Sequence, residues 1–335
     1  RALAALLVVW AHIFQPGGGF TGFASGVDFG YLNRIAVNGA IGVDIFFTLS
    51  GFVIAYVYHE YFRTGLTFRK VIRFYILRLG RIWPLNVLTV VFVILLVQYD
   101  MESTGIHDIR PQCIFFNIAM LQRLIADGCR INGPSWSLSA EWLTYLVAPW
   151  IVMLVFRIRR KGDLIAFASL VFFINIMFYY SAAGRPPFDL IKTVAQFTLG
   201  CCLYNFIVYH KMTYDKWDSV LLVVVLIYLA LFHYNDIWSA SLLSGLAIAL
   251  IPLMVIALAG SKGMARRFFS CTAMLYLGEI SYSIYMVHYP FLMFFQSVGG
   301  EAVVLGGDAS YLKAISVIGL FFALLILLSA ACFHL

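Results

Sequence analysis

Four ionisable side chains stand in stretches of this sequence that are otherwise largely apolar: His12, Asp44, Glu141 and His288. His12 closes the run RALAALLVVWAH, in which every residue between Arg1 and His12 is apolar. On a helix rising ~1.5 Å per residue those two ends lie roughly 16 Å apart, about half a hydrocarbon core. An arginine at the mouth of a membrane helix is tolerated, but a histidine at depth needs a reason, because ionisable groups inside a bilayer are costly and usually functional. The chemistry such a set offers is proton transfer, for which an imidazole beside a carboxylate is the usual pair. Each residue also has a plainer reading. His12 is satisfied by a neighbouring helix, Asp44 answers a helix dipole, Glu141 pairs with Arg123 or Arg130, and His288, just before Tyr289-Pro290, is an interface residue.

A second group of residues has the types needed to hold a substrate. Arg78 and Arg81, at i and i+3, share one helix face and form either a fork-shaped phosphate clamp or ordinary inner-face positive charge. Ser50-Gly51 in mid-helix is either a close helix contact or a place where a narrow ligand passes beside the backbone. Ser281 and Ser283 equally fit helix–helix glue. The histidines lack metal-ligand spacing, so no metal is implied.

The elements that must position these groups are membrane helices. The chain is 62% hydrophobic and 12% charged, with a mean hydropathy of +0.91. That is about half the charge of a soluble domain. Apolar runs fall near 2–15, 39–58, 82–99, 136–156, 164–181, 190–209, 217–234, 238–260, 273–295 and 311–335. They predict an all-α bundle of about ten transmembrane helices, forming one domain over 1–335. The net charge of +7 sits in short clusters between those runs, which marks membrane orientation and not nucleic-acid binding. Arg63 to Arg81, Arg157 to Lys161, Lys211 with Lys216, and Lys262 to Arg267 lie on one side, so both termini are expected in the cytoplasm. On that topology all four ionisable residues fall in the outer half of the bilayer. Thr67–Ile82 reads as an amphipathic helix on the inner face, and Ile114–Ile125 as an outer segment too short to span. Cys113 and Cys129 are the cysteines placed outside, where they either form a disulfide or remain unrelated thiols. No initiator Met precedes Arg1, and the last residues stop inside an apolar run, so a slightly longer chain is expected.

At these residues the chain resembles the membrane-bound acyltransferase family 3. Arg1 and His12 match its arginine–ten residues–histidine motif, and Phe46-Phe-Thr-Leu-Ser-Gly-Phe52 its FFxxSG motif. Arg78-Leu-Gly-Arg81 with Ile82-Trp-Pro84, Ser137-Leu-Ser-Ala-Glu141, and Ser281 through His288 match three more, in order along the whole chain. The family's usual Glu-Pro after the last helix is absent. The resemblance implies an integral-membrane O-acyltransferase of the cell membrane, using acyl-CoA, with acetyl the favoured group, as donor substrate. It needs no resident cofactor, and its acceptor is a hydroxyl on a surface carbohydrate or a small molecule. His12 would be the general base, oriented by Glu141 or Asp44, with His288 in the same catalytic group. Arg1, Ser50, Gly51, Arg78 and Arg81 would hold the donor. The rival is a proton-coupled or lipid-linked glycan transporter, in which the same acids and histidines relay protons. A visible internal repeat would favour that rival, and none is found.

Overall fold

Every regular element among the described residues is helical. The structure, a computed structural model, describes residues 1–14, 22–99, 109–125, 129, 131–181, 188–210, 217–234, 242–299, 305 and 310–334. In chain order the helices are α1 (Ala2–Phe14), α2 (Tyr31–Val37), α3 (Ile41–Arg63), α4 (Phe68–Tyr99), α5 (Pro111–Ile118), α6 (Trp136–Arg157) and α7 (Lys161–Ser181). They continue with α8 (Phe188–His210), α9 (Trp217–Tyr234), α10 (Leu242–Gly260), α11 (Met264–Phe269), α12 (Thr272–Glu279), α13 (Ser281–Gly299) and α14 (Tyr311–His334). Single 3₁₀ turns stand at Gln122–Leu124 and Gly133–Ser135.

Among the described residues six helices are long and apolar enough to cross a membrane: α3, α4, α6, α7, α8 and α14. Shorter apolar helices cover Ala2–Phe14, Trp217–Phe232 and Gly245–Gly260. Helix α13, which carries His288, is not among them, because its serines, tyrosines, His288 and Gln296 dilute its hydropathy. It has no need to match lipid, since both turns around His288 are buried in protein. The expected amphipathic segment Thr67–Ile82 is no separate helix. Its bases lie on the first half of α4, whose 32 residues extend for about 48 Å and so outrun a ~30 Å hydrocarbon core.

The chain divides into two units, with boundaries that fall inside α3, α4, α6 and α12. The first comprises Arg1–Gly42, Ile82–Leu138 and Tyr276–Leu335. Here α1 packs on α2 and α13, and α13 packs on α14. Glycines set the first approach: a Cβ on Gly42 would lie 2.3 Å from the Ala4 carbonyl oxygen, and one on Gly39 2.2 Å from that of Leu7. Phe23, Phe291, Phe295 and Phe321 stack into an aromatic core with ring centroids 5.2–5.9 Å apart. After α4 a disulfide joins Cys113 to Cys129, with Cα atoms 4.9 Å apart. The Asn117 amide ties the same place together, donating to the Cys113 carbonyl at 2.8 Å and the Cys129 carbonyl at 2.9 Å.

The second unit comprises Val43–Arg81 and Ser139–Leu275. Its α7 packs on α8, α9 on α10, and α10 on both α7 and α8. Helices α3 and α8 cross where small residues allow backbone contact. A Cβ on Gly51 would lie 1.8 Å from the Phe197 carbonyl oxygen, and one on Gly200 2.1 Å from that of Thr48. The space beside Gly51 is therefore filled by a neighbouring backbone, as the close-contact alternative required. Asn205 closes the end of α6 by donating to the Val155 carbonyl at 2.6 Å, one of the carbonyls that a helix C-terminus leaves without a partner.

Candidate active site

In the first unit the structure brings His12 and His288 together. Their rings lie 5.0 Å apart, and His288 Nε2 stands 3.4 Å from His12 Nδ1. His12 Nδ1 lies 2.8 Å from the Val8 carbonyl oxygen, and His288 Nδ1 lies 2.6 Å from that of Tyr285. A carbonyl oxygen only accepts, so each Nδ1 must carry the proton and each neutral ring keeps its lone pair on Nε2. His288 Nε2 then points that lone pair at the His12 Nδ1–H, a long contact shared with Val8. Among the described residues His12 Nε2 has no bonded partner and keeps its lone pair as a base. His288 is fully buried, whereas His12 is partly exposed, which suits the second for exchange with a substrate.

Helix α13 is held at His288 by the segment Asn132–Ser137. Pro290 has no N–H, so the carbonyl four residues earlier, on Met286, has no helical donor at that position. The Asn132 side-chain amide donates to this carbonyl at 3.1 Å. One residue on, Gly133 approaches Tyr289 so closely that a Cβ would lie 3.1 Å from its ring. Tyr289 in turn meets His12 edge-on, with centroids 5.6 Å apart. The Tyr285 hydroxyl lies 2.6 Å from Ser137 Oγ and donates to the Pro134 carbonyl at 3.0 Å. Ser137, the first serine of the SLSAE stretch, thus braces the helix that carries His288.

In the second unit the acids have their own partners. Glu141 Oε1 accepts from Ser50 Oγ at 2.9 Å and from the Tyr145 hydroxyl at 2.5 Å, while Ser50 Oγ and Tyr145 are 3.1 Å apart. Asp44 Oδ1 is 2.9 Å from Lys192 Nζ and accepts from Gln196 Nε2 at 2.8 Å, with both members of the ion pair mostly buried. Arg78 donates through Nη2 to the Tyr58 hydroxyl at 3.0 Å and lies over the Tyr58 and Phe74 rings. Arg81, three residues on, is exposed. Arg1 is exposed ahead of α1.

Within the first unit the groups that hold the His12 imidazole are a carbonyl one turn back and His288. A neutral ring needs only an acceptor for its N–H, and the helix supplies one. Arg123, a suggested partner for Glu141, lies over the Trp136 ring with its guanidinium carbon 5.0 Å from the centroid. Arg130 lies outside the described residues. Among the described residues no group of three or more His, Cys, Asp and Glu is placed to hold a metal. Sequence reading missed Tyr145, Lys192, Gln196 and Asn132. Tyr145 stands four residues after Glu141 and Gln196 four after Lys192, so helical spacing offered a signal for those pairs. Asn132 offered none, since 154 residues separate it from Met286.

A helical membrane protein with a paired histidine site, and with acids held by hydroxyls, an amide and a lysine, is the frame within which relatives can be weighed. The profile of the family described as Acyltransferase domain matches residues 1–334, and the chain belongs to that family. It is similar to the acyltransferase MdmB of Streptomyces mycarofaciens, with 26% identity over 326 residues, covering 90% of this chain and 80% of that one. No solved structure matches.

Proposed function

We propose that the protein transfers an acyl group, acetyl by first choice, from acyl-CoA to a hydroxyl of a cell-surface glycan or a similar acceptor, with His12 as general base. The observation that carries this reading is the placement of His12 Nδ1, 2.8 Å from the Val8 carbonyl oxygen and 3.4 Å from His288 Nε2, which assigns the proton to Nδ1 and the lone pair to Nε2. In the reaction, Nε2 takes the acceptor proton as the hydroxyl oxygen attacks the thioester carbonyl. The C–S bond then breaks, and the proton passes from Nε2–H to the departing CoA sulfur. The imidazolium formed in between keeps Nδ1–H on the Val8 carbonyl and faces the His288 lone pair. A thioester is reactive enough for base catalysis and positioning to suffice.

Donor binding is assigned to Arg78 and Arg81 with Arg1, as cations for the CoA phosphates, and to Ser50 beside the pantetheine arm. Gly51 serves the crossing with α8 in this reading, because the Phe197 carbonyl occupies its open side. Glu141 holds the Ser50 and Tyr145 hydroxyls, and Asp44 is neutralised by Lys192, so neither is asked to move a proton. We place the chain as a multi-pass protein of the cell membrane with both termini in the cytoplasm, from the distribution of Lys and Arg.

The test is CoA release. Purified protein in nanodiscs, given acetyl-CoA and a hydroxylated acceptor extract, should liberate CoA thiol and label the acceptor by mass spectrometry. A transporter has no reason to cleave a thioester. Absence of acyl transfer from every acyl-CoA offered would overturn the assignment of the donor.

A further inference from the structure

The segment Asn132–Ser137 touches α13 at residues 285, 286 and 289, on both sides of His288. Of these contacts the one at residue 286 is unusual in origin. It exists because Pro290 withdraws the N–H that a regular helix would place there, which leaves a buried carbonyl in want of a donor. Asn132 is only 1% exposed, so its amide is committed to this one place rather than shared with solvent. The carbonyl it grips belongs to the residue next but one before His288, and the neighbouring Tyr285 carbonyl carries His288 Nδ1–H at 2.6 Å. One turn of helix thus has two neighbouring carbonyls that accept from side chains, one from His288 and one from Asn132.

We propose that Asn132 is a positioning residue for acyl transfer: by tethering the Met286 carbonyl, it fixes the turn of α13 that aims His288 Nε2 at His12 Nδ1–H. The tether rests on the reading of His12 as base, and it acts through His288 without touching substrate. A proline inside a helix frees a carbonyl, and here that freedom is used as an attachment point. The segment that provides the attachment is itself anchored. Asn132 follows Cys129 by three positions, and Cys129 is fixed by its disulfide and by the Asn117 amide on its carbonyl.

Three variants of the full chain separate tethering from mere satisfaction of a buried carbonyl. Asn132→Ala removes the donor, so both thermal midpoint and kcat should fall. Turnover should drop about 10- to 100-fold, the scale of a small misplacement of a catalytic group, with KM for acetyl-CoA little changed. Asn132→Ala/Pro290→Ala supplies a helical N–H to the Met286 carbonyl, so the midpoint should recover while kcat stays low, because the carbonyl is satisfied but no longer tied to the segment. Pro290→Ala alone keeps both donors for a carbonyl that has two lone pairs, and should retain most of its turnover. Recovery of kcat together with stability in the double variant overturns the proposal, since Asn132 would then only fill a vacancy. So does Pro290→Ala falling as low as the double variant, which would assign the effect to the proline, and so does wild-type turnover in Asn132→Ala. His12→Ala, assayed alongside, keeps the two readings distinct: near-normal turnover there overturns the base assignment, whatever Asn132 does.

Discussion

In the unit that carries α1 and α13, His12 and His288 have backbone carbonyls and each other as partners. In the unit that carries α3 and α8, Glu141 and Asp44 have as partners two hydroxyls, an amide and a lysine. The difference follows from charge. A neutral imidazole inside a membrane protein costs little once its N–H has an acceptor, and a carbonyl one turn away on the same helix is enough. A buried carboxylate must be balanced by donors or a cation, or the cost is several kcal/mol. The first arrangement leaves a nitrogen lone pair open to take a proton; the second spends its lone pairs on holding the structure. Chemistry is therefore expected from the imidazoles, and binding and stability from the acids.

The largest effect should come from His12. His12→Ala is expected to lower turnover by about 10²–10⁴-fold with membrane insertion intact, the usual cost of losing a general base. Glu141→Gln keeps an oxygen acceptor for Ser50 and Tyr145, so its loss should be at least tenfold smaller. Steady-state assays on matched amounts of inserted protein make the comparison. Equal losses would break the division between the two units.

Next in size is the Asp44–Lys192 pair. Asp44→Asn removes one carboxylate from a mostly buried ammonium, and breaking such an ion pair typically costs about 3–5 kcal/mol. The loss should be read as a lower unfolding midpoint. Asp44→Asn/Lys192→Met removes both charges and should regain most of the stability. If instead the single variant is stable but inactive, Asp44 belongs with the chemistry.

A smaller effect is expected at the arginines, and it should differ between them. Arg78 is half-buried against Tyr58 and Phe74, so an ion bound to it is shielded from water, whereas Arg81 is exposed. Losing a charge-assisted hydrogen bond costs about 1.5–3 kcal/mol, which predicts a tenfold or greater rise in KM for acyl-CoA in Arg78→Ala. Arg81→Ala should do less, and Arg78→Lys should rescue in part because the fork is lost. Overlapping acyl-CoA titrations for Arg78→Ala and wild type would move the clamp elsewhere.

Much of this was legible in the residues. Composition and the apolar runs dictated an all-helical membrane chain, because a bilayer admits only segments that satisfy their own backbone. Five motifs in order pointed to the acyltransferase family before any coordinates. Cys113 and Cys129 were singled out by the expected topology, although whether they bond depends on a distance that sequence does not contain. The hydropathy of α13 shows the opposite limit. Its polar residues dilute the membrane signal because protein, not lipid, covers the turns around His288.

What the sequence by itself determined is the kind of group placed at depth and the helix on which each sits. Period and hydropathy are local properties, written within a few turns, and so are the i, i+4 pairs Glu141–Tyr145 and Lys192–Gln196. Only the tertiary structure decided who meets whom: His12 with His288 across 276 positions, Asp44 with Gln196 across 152, Asn132 with the Met286 carbonyl across 154. These pairings depend on how helices cross, and crossings are set by the joint packing of distant glycines and aromatic side chains. The tautomer of His12, on which the chemistry rests, is by contrast a local fact, fixed by the Val8 carbonyl one turn back on α1, which can only accept.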